Sequence, residues 1–110
     1  MWIAPRLTEE SQTRLREYAD WLRHDVLQVM LEGHCDERGT EAYNLMLGER
    51  RAGSVKAYLT HLGIPANRLI GMSYGKAKPV CSAPEESCYR LNRRVRMVIK
   101  EDPRPPIALR

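Results

Sequence analysis

GHCDERGTEAYNLMLGERRA, residues 33–52, decides how this chain is read. Gly33 and His34 close an apolar run, DERG forms a polar loop, and Thr40 supplies a side-chain oxygen where a helix must begin. Along that helix Leu47, Val55, Leu59 and Leu62 recur at helical spacing and define an apolar face. Arg51 falls on the same face between Leu47 and Val55, where an unpartnered guanidinium is costly. It is therefore expected at the rim of a pocket, its planar fork meeting a carboxylate. That carboxylate belongs either to Asp36, which the loop is expected to expose, or to a ligand.

Working outward, the helix is predicted to reach Leu62, with Gly63 as its stop and Pro65 just beyond. The preceding run VLQVMLE, Val26 to Glu32, is short and rich in β-favouring residues and predicts a strand. Earlier still, Thr8 followed by Glu9 and Glu10 reads as a helix N-cap with acidic residues complementing the dipole. That helix should run to about His24, its stripe of Leu15, Tyr18, Ala19 and Leu22 lying on a sheet and Trp21 bordering the stripe. On the C-terminal side, Leu69 to Tyr74 predicts a second strand, Gly75 to Pro79 a loop, and PEESCYRLN a short helix. From Arg94 to Lys100, Val95, Met97 and Ile99 alternate with Arg94, Arg96 and Lys100, the pattern of a strand with one covered and one wet face. The order α-β-α-β-(short α)-β predicts an α/β two-layer sandwich, a small mixed sheet with helices packed on one face. One domain is expected over residues 1–100, with residues 101–110 a proline-rich tail extending past it.

The chain of 110 residues, 43% hydrophobic and 29% charged, suits one compact domain with its own core. No apolar run approaches the roughly 20 residues that span a bilayer. The opening MWIAPRL lacks the basic start, apolar stretch and cleavage site of a signal peptide. A net charge of +4 and a pI near 9.2 favour a polyanionic partner only modestly. Cys35, Cys81 and Cys88 fit one disulfide and one free thiol in an oxidising compartment; alternatively Cys81 and Cys88 are reduced, small apolar fillers.

Four ordered blocks, GHCDERGT, YNLMLGERRA, SYGKAKPV and NRRVRMVIK, carry a resemblance to the outer-membrane protein A-like peptidoglycan-binding domain family, and within it to the lipoprotein branch. The likeness runs from about Leu7 to Lys100. It implies a non-catalytic periplasmic module with no cofactor, binding the diaminopimelate-containing stem peptide of peptidoglycan. It also implies attachment to the outer membrane through an anchor absent from this chain, and the periplasmic β-propeller protein of the Tol system as partner. Family members similar to this chain open with a strand ending in an FDFDS-like motif, whereas here Met1-Trp2-Ile3-Ala4-Pro5 stands in that place. Its acidic residues are missing, and Pro5 limits any edge strand built from Trp2 and Ile3.

Diaminopimelate presents both an ammonium and a carboxylate, so its recognition calls for paired opposite charges. The resemblance maps these onto Asp36, accepting the ammonium, and Arg51, clamping the carboxylate; the competing reading is an internal Asp36–Arg51 salt bridge that orients the loop. Asn44 is a candidate at the pocket's edge, and Gly39 is expected to permit a positive φ and the approach of a ligand to backbone amides. Arg94 is a candidate for a second carboxylate or phosphate contact, although Arg93 and Arg94 are preferred as support for the loop. Tyr74 and Lys76 are assigned to the pocket wall. His34, Cys35 and Asp36 are adjacent and point alternately, so they do not converge on a metal ion, and His34 is expected to cap the strand or pack under the loop. His24 and His61 read as surface residues. Three rivals remain. One is a basic nucleic-acid-binding domain using Arg90, Arg93, Arg94, Arg96 and Lys100, although aromatic interleaving there is poor. Another is a protein-interaction module on the same scaffold, and the last a hydrolase using Cys35 as nucleophile.

Overall fold

The computed structural model describes residues 7–101 and 105–110. The Thr8 hydroxyl accepts a hydrogen bond from the Ser11 N–H at 3.1 Å and caps α1, Glu9–Leu22, with Glu9 and Glu10 in its first turn. There follow β1 (Val29–His34), α2 (Glu41–His61), a 3-10 turn (Ala66–Arg68), β2 (Leu69–Gly75), α3 (Glu86–Asn92), β3 (Arg94–Ile99) and β4 (Ile107–Leu109). The sheet order is β2-β1-β3-β4, with β1 parallel to β2 and antiparallel to β3, and β4 antiparallel to β3. A parallel pair needs a crossover, and α2 provides it.

One face of the sheet carries Val29, Leu31, Leu69, Val95, Met97 and Leu109, which pack with Leu15, Ala19 and Leu22 of α1 and Val55 and Leu59 of α2. Burying each large aliphatic side chain contributes on the order of 1.5–3 kcal/mol. The predicted two-layer mixed sheet is thus the observed fold; the stripe read from α1 meets it, as do Val55, Leu59 and Leu62 of the α2 stripe, while Leu47 lines a surface cleft instead.

Three expectations are corrected. The first strand begins at Val29 and takes in Gly33 and His34, while Val26 is 87% exposed. The reason is Arg68, whose guanidinium pairs with Asp25 and donates to the Leu22 and Leu27 carbonyls, holding the segment between α1 and β1 as a loop. The C-terminal segment is not a tail running past the domain. Ile107–Leu109 add a fourth strand, with Leu109 opposite Val95 and Ile107 opposite Met97. Pro105 and Pro106 stop just before the strand, so its backbone N–H groups remain for pairing. Hydrogen bonds from Arg14 to the Ala108 carbonyl at 2.9 Å and from the Ser11 hydroxyl to the Arg110 carbonyl at 2.8 Å tie it to α1. The third correction concerns the face of β3 expected to be wet, where Arg94 is only 6% exposed. It donates to the Asn92 carbonyl at 3.1 Å and the Lys78 carbonyl at 3.3 Å. The connection from β2 to α3 is held by a Cys81–Cys88 disulfide. Asn92 also holds it, accepting from the Val80 and Cys81 N–H groups and donating to the Cys81 carbonyl. The expected edge strand at Trp2 and Ile3 lies outside the described residues.

The contact that sets the height of α2 above the sheet involves two glycines. A Cβ on Gly33 would lie 1.8 Å from the Gly48 carbonyl oxygen, and one on Gly48 would lie 2.1 Å from the Ser73 hydroxyl. Helix backbone therefore rests directly on strand backbone. Gly33→Ala is expected to cost at least about 3 kcal/mol in urea unfolding, because backbone rather than a movable side chain blocks the new methyl. Gly71→Ala, whose Cβ would meet the Ala52 methyl at an ordinary 3.8 Å, should stay within about 1 kcal/mol of the parent.

Candidate functional site

The loop after β1 is built around Asp36, which is 6% exposed rather than open to solvent as the sequence suggested. Its Oδ1 accepts from the Arg38 backbone N–H at 3.0 Å and from Arg38 Nε at 3.1 Å. Its Oδ2 accepts from Arg38 Nη2 at 2.8 Å and Arg93 Nη1 at 3.2 Å. The Arg38 side chain, opposed by burial and joined by the Arg38 backbone and Arg93, holds the Asp36 carboxyl well below the usual carboxylate range. Asp36 is a fixed negative charge. Arg38 in turn lies over the Tyr89 ring at 4.4 Å, and Arg93 is shared with Glu86.

Arg51 does not pair with Asp36. Its Nη1 donates to the His34 carbonyl at 3.0 Å and contacts Cys35 Sγ at 3.2 Å, which fixes the guanidinium against the end of β1. Asp36 and Arg51 nevertheless line one open cleft together with Asn44, Gly39, Arg38, Arg93, Tyr43 and Leu47. An acidic and a basic side chain face one space without neutralising each other. Asn44 does not point to solvent: its Nδ2 donates to the Arg38 carbonyl at 2.8 Å and the Thr40 carbonyl at 2.9 Å, fastening the loop to the first turns of α2. Gly39 has φ +92°, as expected, and its carbonyl accepts from Lys76 Nζ at 2.7 Å. Lys76 thus ties down the loop, and neither it nor Tyr74 lines the cleft.

Arg94 stands apart from this cleft, spending its donors on backbone carbonyls. Its bond to the Lys78 carbonyl braces the β2–α3 connection, while Arg93 braces the Asp36 loop. His34 is buried in the sheet, stacked on Tyr74 at 5.3 Å between centroids, and burial with the nearby Arg94 charge pushes its pKa down. His24 and His61 are exposed at helix ends. Arg93, Arg94 and Arg96 are engaged with Asp36 and Glu86, with backbone carbonyls, and with Glu32 respectively, which breaks up the basic stripe a nucleic-acid interface requires. The Cys35 thiol is buried, and burial pushes its pKa up against the lowering effect of Arg51, the opposite of an activated nucleophile. Sequence reasoning missed Arg38 as the main partner of Asp36. The signal was its place two residues on, where an Asx-type turn brings backbone N–H and side chain to the same carboxylate.

A two-layer α/β domain with an acid–base cleft at the end of its first strand is the class defined by these features. The sequence pattern of the OmpA family matches residues 4–93, and the chain belongs to that family. It is 44% identical over 91 residues to the peptidoglycan-associated lipoprotein of Rhizobium meliloti, covering 82% of this chain and 52% of that protein. The chain thus spans about half the length of the curated relatives it matches. Among solved structures, the peptidoglycan-associated lipoprotein from Burkholderia pseudomallei superposes with a TM-score of 0.82 at 33% identity, covering 88% of this chain and 85% of that one. The cell wall anchor of the T6SS from Pseudomonas aeruginosa gives a TM-score of 0.74 at 29% identity, covering 90% and 73% respectively.

Two outcomes check the electrostatics. Because the folded-state pKa of Asp36 is depressed, its contribution to stability is complete above about pH 4, where the unfolded carboxyl is also ionised, and is lost as pH falls through the folded-state value. Urea midpoints measured from pH 7 to pH 2.5 should fall below pH 4 in the parent and fall less over that range in Asp36→Asn. Iodoacetamide at neutral pH should label Cys35 of the folded protein at least about tenfold more slowly than the same thiol in urea, as a raised pKa and burial require.

Proposed function

We propose that this chain is a non-catalytic, periplasmic binding module that holds the stem peptide of peptidoglycan and so anchors the outer membrane to the cell wall. The observation that carries the reading is the shared cleft of Asp36 and Arg51, two opposite charges held apart by separate internal partners. A zwitterionic diaminopimelate side chain matches that separation. Its ammonium takes Asp36 and its carboxylate takes the Arg51 guanidinium, which among the described residues bonds within the protein through Nη1. Arg38 must yield its share of the Asp36 oxygens to the ammonium, an exchange of one charged donor for another that its largely exposed side chain permits. Asn44 offers its side-chain carbonyl oxygen, since its amide hydrogens are spent on the loop, and the glycine at position 39 leaves the loop backbone open to a ligand. Arg94 is better placed as support for the β2–α3 connection than as a ligand contact.

The names of the relatives, a peptidoglycan-associated lipoprotein and a cell wall anchor, support the same reading. By the same resemblance the Tol periplasmic β-propeller protein is the expected protein partner, and a lipid anchor is the expected link to the outer membrane. Reversible non-covalent attachment needs no reaction chemistry, and the neutral, buried Cys35 offers none.

Calorimetric titration with a diaminopimelate-containing stem peptide tests the proposal. Saturable binding is expected for the parent. A lysine-stem peptide, which lacks the side-chain carboxylate, should bind at least about tenfold more weakly, in line with about 1.5–3 kcal/mol for a hydrogen bond to a charged group. Asp36→Ala and Arg51→Ala should each lose binding while still unfolding cooperatively. Equal binding of both peptides, or retention of binding by both variants, would overturn the assignment.

A further inference from the structure

Beside the Asp36–Arg51 cleft, and sharing residues with it, lies a second and larger groove. Arg51 and Arg93 line both spaces. The groove adds Arg14 from α1, Arg90 from α3 and Arg110 after β4, and among the described residues Glu10 is its one lining carboxylate side chain. Among the described residues, five arginines from four parts of the chain thus line one groove with a single acidic side chain.

The internal bonding leaves two of these guanidinium groups without a partner among the described residues. Arg14 donates to the Ala108 carbonyl, Arg51 to the His34 carbonyl, and Arg93 to Asp36 and Glu86. Among the described residues, neither the Arg90 nor the Arg110 guanidinium has a hydrogen bond or ion pair in the protein, although the Arg110 carbonyl is held by Thr8 and Ser11. The crowding reaches the buried Arg94, whose pKa is lowered by desolvation first and by the Arg110 charge next. The start of α1 borders the groove through Thr8 and Ser11, and its dipole adds further positive potential. Gathering like charges in a concave space is unfavourable unless an anion enters, and a cleft focuses the field on such an anion.

We infer that this groove is a second, anionic subsite, which receives a further carboxylate of the same wall peptide whose zwitterionic end occupies the Asp36–Arg51 cleft. The inference rests on the peptide-binding reading, because Arg51 and Arg93 line both spaces and make them neighbours. Arg90 and Arg110 supply the free donors for the remote carboxylate, and Arg51 and Arg93 stand at the passage between the subsites. Recognition then extends beyond one residue: a peptide carrying a free carboxylate next to its diaminopimelate is preferred over one in which that group is neutral.

The test compares two stem peptides ending in diaminopimelate, one with the preceding side-chain or main-chain carboxylate free and the other with it amidated, on the parent and on the Arg90→Gln/Arg110→Gln variant. Both substituted side chains are exposed, so the fold and the first cleft should be retained. The parent should bind the free acid about tenfold more tightly at low salt, and the preference should shrink as added salt screens it. In the double variant the preference should fall to near parity while the amidated peptide binds as in the parent. No preference in the parent, or an undiminished preference in the variant, overturns the second subsite and leaves the first intact. Failure of the folded parent to bind either peptide overturns the peptide-binding reading and this inference with it.

Discussion

The contact between Gly33 and Gly48 sets the geometry on which the rest depends. Because neither residue has a side chain, α2 lies with backbone against the end of β1. From that height Arg51, one turn further along α2, reaches the His34 carbonyl at 3.0 Å. A helix lifted by even one methyl would carry the guanidinium away from the strand end, and Thr40 and Asn44 would carry the loop with it, since both fasten the loop to the helix. Core packing and site geometry are therefore one problem here. The aliphatic stripe of Val55 and Leu59 holds the helix down, and the two glycines determine how far down it goes.

Around that frame the charges are arranged to stay charged. Asp36 receives four donors from Arg38 and Arg93, enough to occupy the acceptor positions of a carboxylate. Arg51 is held by a carbonyl, which orients it without cancelling its charge. A direct Asp36–Arg51 pair would have closed the cleft; separate partners keep it open. Position depends on elements distant in sequence. Arg93 follows α3, whose approach is fixed by the Cys81–Cys88 bridge and by the three hydrogen bonds of Asn92. The disulfide thus bears on the site through the arginine it helps to place.

The edge of β3 shows how a local pattern can be overruled. Its face of alternating charged residues reads as wet, yet Lys78 of the β2–α3 connection and Asn92 at the end of α3 supply carbonyls to the Arg94 donors, so burial there is satisfied. The open edge of the same strand carries unpaired backbone groups, and Ile107–Leu109 pair with them. That pairing also brings Arg110 beside α1 and lines the arginine groove. A segment whose proline content suggested a tail instead completes both a sheet and a charged surface.

Sequence alone determined the elements whose signals are local. Thr8 and Thr40 mark helix starts because a side-chain oxygen must satisfy the first free N–H groups, Gly63 ends α2 with φ +98°, and the apolar periods distinguish helix from strand. The same stretch, residues 33–52, announced that Asp36, Gly39, Asn44 and Arg51 belong together, and they do line one cleft. What tertiary structure alone decided is which charge meets which. Arg68 closes on Asp25, and Arg93 on Asp36 across 57 residues. Arg94 turns inward, and β4 joins the sheet. Such pairings depend on distances between side chains brought close only when the sheet, the α2 crossover and the disulfide-bound connection have all formed. No period or spacing along the chain records those distances, because electrostatic and hydrogen-bond partners are chosen in space.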